Sequence, residues 1–98
     1  MKNSRVVVLW RNGLHLRQAA ALVRAAEAFR STIHLKCGGR VANLRSILSV
    51  VALCATMGMT IDVEVSGDDE QDATVAIEQV FSTHDAGDTA TDVVRKKS

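Results

Sequence analysis

Apolar residues in this chain change their spacing from one segment to the next, and the order of the changes leaves few folds open. Val6, Val7, Val8 and Leu9 lie together between Arg5 and Trp10, a branched and bulky run that predicts a strand. Ala19, Leu22, Val23, Ala26 and Phe29 then fall on one face of a helix from Leu16 to about Phe29, at the i, i+3, i+4, i+7 spacing of an amphipathic helix. Ile33, Leu35 and Cys37 alternate with His34 and Lys36, the period of a half-buried strand. Gly38-Gly39 is a hairpin turn signal, and Arg40 to Leu44 is the return strand. Ser46 can cap a short helix from Ile47 to Leu53 through its side-chain oxygen. From Thr60 to Ser66, Ile61, Val63 and Val65 alternate with Asp62 and Glu64, a fourth strand. Gly67 to Asp72 is an acidic helix start, suited to the positive end of a helix dipole. Ala73, Ala76, Ile77, Val80 and Phe81 form the apolar stripe of a last helix ending near His84.

The order is therefore β-α-β-β-α-β-α. Strands with one apolar face need one layer of cover, so three helices pack on one side of an antiparallel sheet in an open-faced, two-layer α+β sandwich. The 98 residues make one domain, residues 1–84, followed at 85–98 by a polar, aperiodic tail read as frayed.

Composition removes several functions. A net charge of +1 gives no general attraction to nucleic acid or an anionic membrane. One Trp, no Tyr and two Phe leave few platforms for stacking bases. No His, Cys or carboxylate group has a metal-ligand spacing, and no glycine-rich phosphate loop appears, so neither metal nor cofactor is expected. Cys37 and Cys54 read as two buried small hydrophobes. The apolar run near the N-terminus is far shorter than a membrane span, so the expected setting is cytoplasmic and the expected state a monomer.

The chemistry concentrates in Asn12-Gly13-Leu14-His15-Leu16-Arg17. Here a turn hands over to a helix, with a histidine at the junction and an arginine two residues on. A helix start presents free N–H groups and partial positive charge, a ready anion site. A histidine there can carry a covalent phosphoryl group, because neutral imidazole is nucleophilic and titrates near neutral pH. His34 reads as solvated and His84 as a helix-end residue. The face of the first helix bearing Arg17, Ala20, Arg24 and Glu27 is polar with a small middle. The short second helix is apolar nearly all round, which predicts that Leu48 and Val51 stay exposed as a partner patch; burial under a loop is the alternative.

These residues resemble the HPr family, the histidine-containing phosphocarriers of the bacterial phosphoenolpyruvate:sugar phosphotransferase system. The family's Gly-Leu/Ile-His-x-Arg-Pro-Ala signature stands here as Gly13-Leu14-His15-Leu16-Arg17-Gln18-Ala19. Val41 to Ile47 is similar to the family's regulatory serine region, and Ser66 to Ala73 to the segment before its last helix. The resemblance spans about Arg5 to His84. It implies strand order 1-4-2-3 and a non-enzymatic phosphoryl carrier. His15 would accept the group, on Nδ1 as the family does, from phospho-Enzyme I, and pass it to a histidine of an Enzyme II A component. Arg17 and the N–H groups near Leu16 would hold the oxygens. Leu16, Ala20, Arg24, Ile47, Leu48 and Val51 would form the partner surface. It also implies regulation at Ser46 by an HPr kinase/phosphorylase, although Ser46 reads equally well as a plain N-cap.

Two departures stand out. The family's proline is Gln18 here, which restores a backbone donor, and Leu16 is bulkier than the usual Ala or Thr. They suggest a divergent member. The competing reading is a regulatory binding module that docks to kinases or transcription regulators with little phosphoryl transfer.

Overall fold

The computed structural model describes residues 1–83; the expected tail at 85–98 and the helix end at His84 lie outside them. Its elements are β1 (Lys2–Val7), α1 (Leu16–Ala26), β2 (Thr32–Cys37), β3 (Arg40–Asn43), α2 (Ile47–Val51), β4 (Thr60–Ser66) and α3 (Glu70–Ser82). The four strands form one antiparallel sheet in the order β1-β4-β2-β3. This is the open-faced sandwich expected from the sequence pattern, with the strand order that the family resemblance implies.

Register explains the layers. Ile33 and Leu35 of β2 sit opposite Val65 and Val63 of β4, and Val6 of β1 sits opposite Ile61. Directly paired residues share a face, so one side of the sheet is apolar. The helices close it with Ala19, Leu22, Val23 and Ala26 of α1, Val50 of α2, and Ala73, Ile77 and Phe81 of α3, all buried. Each large side chain buried this way contributes about 1.5–3 kcal/mol. The opposite face carries ion pairs between neighbouring strands, Arg5 to Asp62 at 2.9 Å and Lys36 to Glu64 at 2.8 Å. Gly38 and Gly39 both have positive φ, +56° and +82°, as the tight β2–β3 hairpin requires.

Element ends differ from the expectation for physical reasons. The first strand runs from Lys2 to Val7 rather than from Arg5 to Trp10. Its start is hidden by polar residues because β1 is a sheet edge whose inward side chains are only half-buried. Beyond Val7 the chain leaves the ladder, with Val8 N–H donating to the Met59 carbonyl at 2.9 Å. Helix α1 stops at Ala26 because the Ala28 and Phe29 N–H groups turn back to carbonyls three residues earlier. Helix α2 stops at Val51 by the same tightening at Leu53 and Cys54. The return strand ends at Asn43, since the Leu44 N–H donates to the Ile33 carbonyl and its side chain enters the core. Cys37 is buried as expected; Cys54 is exposed, at the end of the α2 turn with φ +55°.

The α3 start joins the far end of α1 to the sheet. Asp69 accepts from the Arg30 N–H at 2.9 Å, the Ser31 N–H at 3.0 Å and the Ser31 hydroxyl at 2.5 Å. The Ser31 hydroxyl, then the Arg30 amide, holds its carboxyl below the ordinary value. Glu70 is lowered too, first by the Gly67 N–H and then by the N-terminal ammonium 3.2 Å away. Both groups are more acidic folded than unfolded, so their contribution is present at neutral pH and is lost as the pH falls below about 4. The urea midpoint is therefore expected to drop between about pH 6 and pH 3, and to drop less in Asp69→Asn, which cannot ionise. Equal drops in both proteins would remove Asp69 from this account.

Candidate functional site

The site is assembled by a turn, a core anchor and a helix start. The Gly13 N–H donates to the Trp10 carbonyl at 2.9 Å, closing the turn. Gly13 holds φ +77°, and a Cβ there would lie 2.6 Å from the Ala55 carbonyl oxygen, so only glycine suits the position. Leu14 is buried, and its N–H donates to that same carbonyl at 2.9 Å. The chain is thus fixed on both sides immediately before His15.

His15 is the N-cap of α1, with extended backbone and a half-buried side chain. Its carbonyl accepts the first helical bond from the Ala19 N–H at 2.8 Å, while its imidazole makes no capping hydrogen bond. No acidic residue occupies the first turn. Arg17 stands there instead, exposed. A cation at this end opposes the helix dipole at a cost of about 0.3–1 kcal/mol. The first turn therefore gathers positive potential that neither a cap nor a carboxylate of that turn neutralises.

Helices α1 and α2 run antiparallel. The Leu14 N–H meets Ala55 just past α2, whereas Arg45, just before α2, donates to the Phe29 carbonyl beyond the end of α1 at 3.3 Å. Ser46 therefore lies towards the far end of α1 from His15. The face between them carries most of the expected partner residues. Arg24 is exposed, Ala20 is half-buried, and Leu16 and Leu48 are 61% and 79% exposed. Ile47 is half-buried, and so is Val51, which packs against the core instead of standing open with Leu48.

Ser46 is exposed and caps α2, its hydroxyl accepting from the Ser49 N–H at 3.2 Å. The Ser49 hydroxyl in turn accepts from the Asn43 N–H at 3.1 Å. The N-cap role is thus real, and it leaves the serine reachable from solvent.

Two features escape sequence reasoning. Met57 is 61% exposed and Met59 39%, in the loop after α2 that touches Leu14; they lie outside any regular element, so periodicity gives no signal for them. Gln18 is 1% exposed, although glutamine in a first helical turn reads as a surface residue. Among the described residues there is no group of three or more His, Cys, Asp or Glu that could hold a metal ion. No helix among them is long and apolar enough to cross a membrane.

A half-buried imidazole thus stands at the start of α1, beside an exposed face of arginine and leucine. The model for the phosphotransferase-system HPr component phosphorylation site matches residues 2–83. A phosphocarrier protein HPr of Xylella fastidiosa is 35% identical over 89 residues, which is 91% of this chain and all of that protein. One from Haemophilus influenzae is 37% identical over 73 residues, 74% of this chain and 86% of its own length. The crystal structure of HPr from Thermoanaerobacter tengcongensis superposes with a TM-score of 0.79 at 29% identity, covering 84% of this chain and 92% of that one. The chain belongs to the HPr family of phosphocarrier proteins of the phosphotransferase system.

Proposed function

We propose that His15 accepts a phosphoryl group from phospho-Enzyme I and passes it to a histidine of an Enzyme II A component. The observation that carries this reading is the uncapped imidazole at the start of α1, with Arg17 in place of an acidic residue in the first turn. Phosphoryl transfer asks a protein mainly for position and charge stabilisation. The Nδ1 lone pair forms the bond to phosphorus as the donor's bond breaks and its electron pair returns to the donor. The new phosphoryl oxygens meet the first-turn N–H groups and Arg17, charge-assisted partners of the stronger kind. An exposed arginine at an open helix end releases the group again, as a carrier must.

Arg24, Leu16, Ala20, Ile47, Leu48 and Val51 form the docking face for both partners, a basic rim on an apolar centre that suits an acidic surface. Ser46, at the opposite end of that face, is where an HPr kinase/phosphorylase would act. A phosphate there adds about −1.5 to −2 charge to the docking face. Ser46→Asp imitates the charge and keeps an N-cap acceptor, so the fold is expected to stand while affinity for Enzyme I falls roughly tenfold, or 1.4 kcal/mol. Unchanged affinity in calorimetry would remove Ser46 from regulation.

The reading is tested by incubation with Enzyme I and labelled phosphoenolpyruvate. The expected label is acid-labile, alkali-stable and absent from His15→Ala. A wild-type protein that stays unlabelled, where another family member is charged, would leave a regulatory docking module in its place.

A further inference from the structure

Gln18 occupies the third position of α1 and is 1% exposed, yet its side-chain oxygen Oε1 finds no hydrogen-bond partner among the described residues. A buried amide oxygen without a donor is costly and rare in folded proteins, and it calls for an explanation. His15 stands three residues earlier, at the N-cap, and its imidazole makes no capping hydrogen bond. In a capping box the side chain of the third helical residue reaches back to the backbone N–H of the N-cap residue, so Gln18 has the position from which a side chain reaches His15. Helix side chains also lean towards the N-terminus. An acceptor without a donor and a ring with a donor to place therefore belong to residues three apart, one helical turn from each other.

We infer that Gln18 is a positioning residue for the reaction of His15: its Oε1 accepts from the imidazole Nε2–H after a side-chain rotation. A neutral imidazole carries one proton. Holding that proton on Nε2 leaves the Nδ1 lone pair free at the helix start, and the tautomer a histidine adopts is set by the bond its other nitrogen makes. The inference rests on the reading of His15 as the phosphorylated residue. In the transfer, the Nδ1 lone pair forms the N–P bond, the donor's bond to phosphorus breaks with its electron pair leaving on the donor, and the proton stays on Nε2, hydrogen-bonded to Gln18 Oε1. Gln18 is buried, so it acts through His15 and touches no partner.

The tautomer is read by long-range proton–nitrogen NMR on the intact protein, at a pH where the same spectra show the neutral ring. The comparison variant is Gln18→Met, which keeps the length and removes the acceptor; Gln18→Glu keeps an oxygen and serves as the rescue. One hydrogen bond of ordinary net strength corresponds to a change of about 2- to 12-fold in the tautomer ratio. The ratio of Nε2–H to Nδ1–H is expected to fall by that factor in Gln18→Met and to stay high in Gln18→Glu. The rate of charging by Enzyme I should fall with it in Gln18→Met, while the KM for Enzyme I holds. An unchanged ratio in Gln18→Met, with wild-type His15 still charged, overturns the role of Gln18. A raised KM with an unchanged ratio overturns it as well, since that marks a packing role. Failure of wild-type charging instead overturns the phosphocarrier reading, whatever the tautomer ratio shows.

Discussion

Trp10→Ala is expected to lower the unfolding free energy by about 3–5 kcal/mol, the usual cost of deleting a large buried aromatic side chain. The indole is fully buried. It stacks on Phe81 with ring centroids 5.2 Å apart, and its Nε1–H donates to the Thr83 carbonyl at 2.6 Å. Trp10 also supplies the carbonyl that closes the turn before His15. It therefore ties the approach to the site to the end of α3, two segments more than seventy residues apart. Truncation opens a cavity between them and strips the Thr83 carbonyl of its donor. Domains of this size have about 5–15 kcal/mol in total, so the variant should be close to unfolding at physiological temperature. Urea titration followed by far-ultraviolet circular dichroism measures it. Trp10→Phe keeps a stacking ring and loses the donor, so it should cost less, about 1–2 kcal/mol. A Trp10→Ala protein within about 1 kcal/mol of wild type would contradict the packing described.

Gly13→Ala is the second large effect, and it reaches the chemistry as well as the fold. The new methyl group would sit 2.6 Å from the Ala55 carbonyl oxygen and 3.1 Å from the Thr56 Cα, both backbone atoms, at φ +77°. A left-handed conformation costs an alanine about 1–2 kcal/mol, and overpacking against atoms that cannot swing away typically adds 1–3 kcal/mol. A loss of about 2–5 kcal/mol is expected. That corresponds to a melting temperature lower by roughly 10–40 °C for a domain of this length. Relief requires the loop at Ala55 to move away, which breaks the 2.9 Å bond from the Leu14 N–H and shifts the N-cap residue. Charging of His15 should therefore slow even at temperatures where the variant is folded. Full-rate charging in a destabilised Gly13→Ala would show that the turn holds the fold without placing the imidazole.

The architecture was readable from spacing alone wherever an element had one clear apolar face. Ile61, Val63 and Val65 announce β4 to the residue, and Ala19, Leu22, Val23 and Ala26 announce α1. Edges were less legible because they depend on neighbours. Lys2, Asn3 and Ser4 look like a loop, and they become strand only because β4 offers a ladder to pair with. Cys54 looks like core and is exposed, since α2 closes a turn before it would bury that position.

The candidate site divides in the same way. A turn ending in Gly13 and a helical stripe beginning soon after it place His15 at a helix start without any coordinates. That Gly13 presses on Ala55 is a tertiary fact, invisible in the local sequence. The burial of Gln18 is another, since the first turn of a helix faces solvent or core according to what packs beside it. The antiparallel run of α1 and α2, which sets Ser46 and His15 towards opposite ends of α1, also depends on packing.

Onward transfer tests the central claim most directly. The protein is charged with labelled phosphoenolpyruvate and Enzyme I, separated from both, and mixed with an Enzyme II A component. The account predicts that the label leaves His15 and appears on a histidine of the acceptor. Label that reaches a residue other than His15, or that stays on His15 and never arrives on the acceptor, would contradict it.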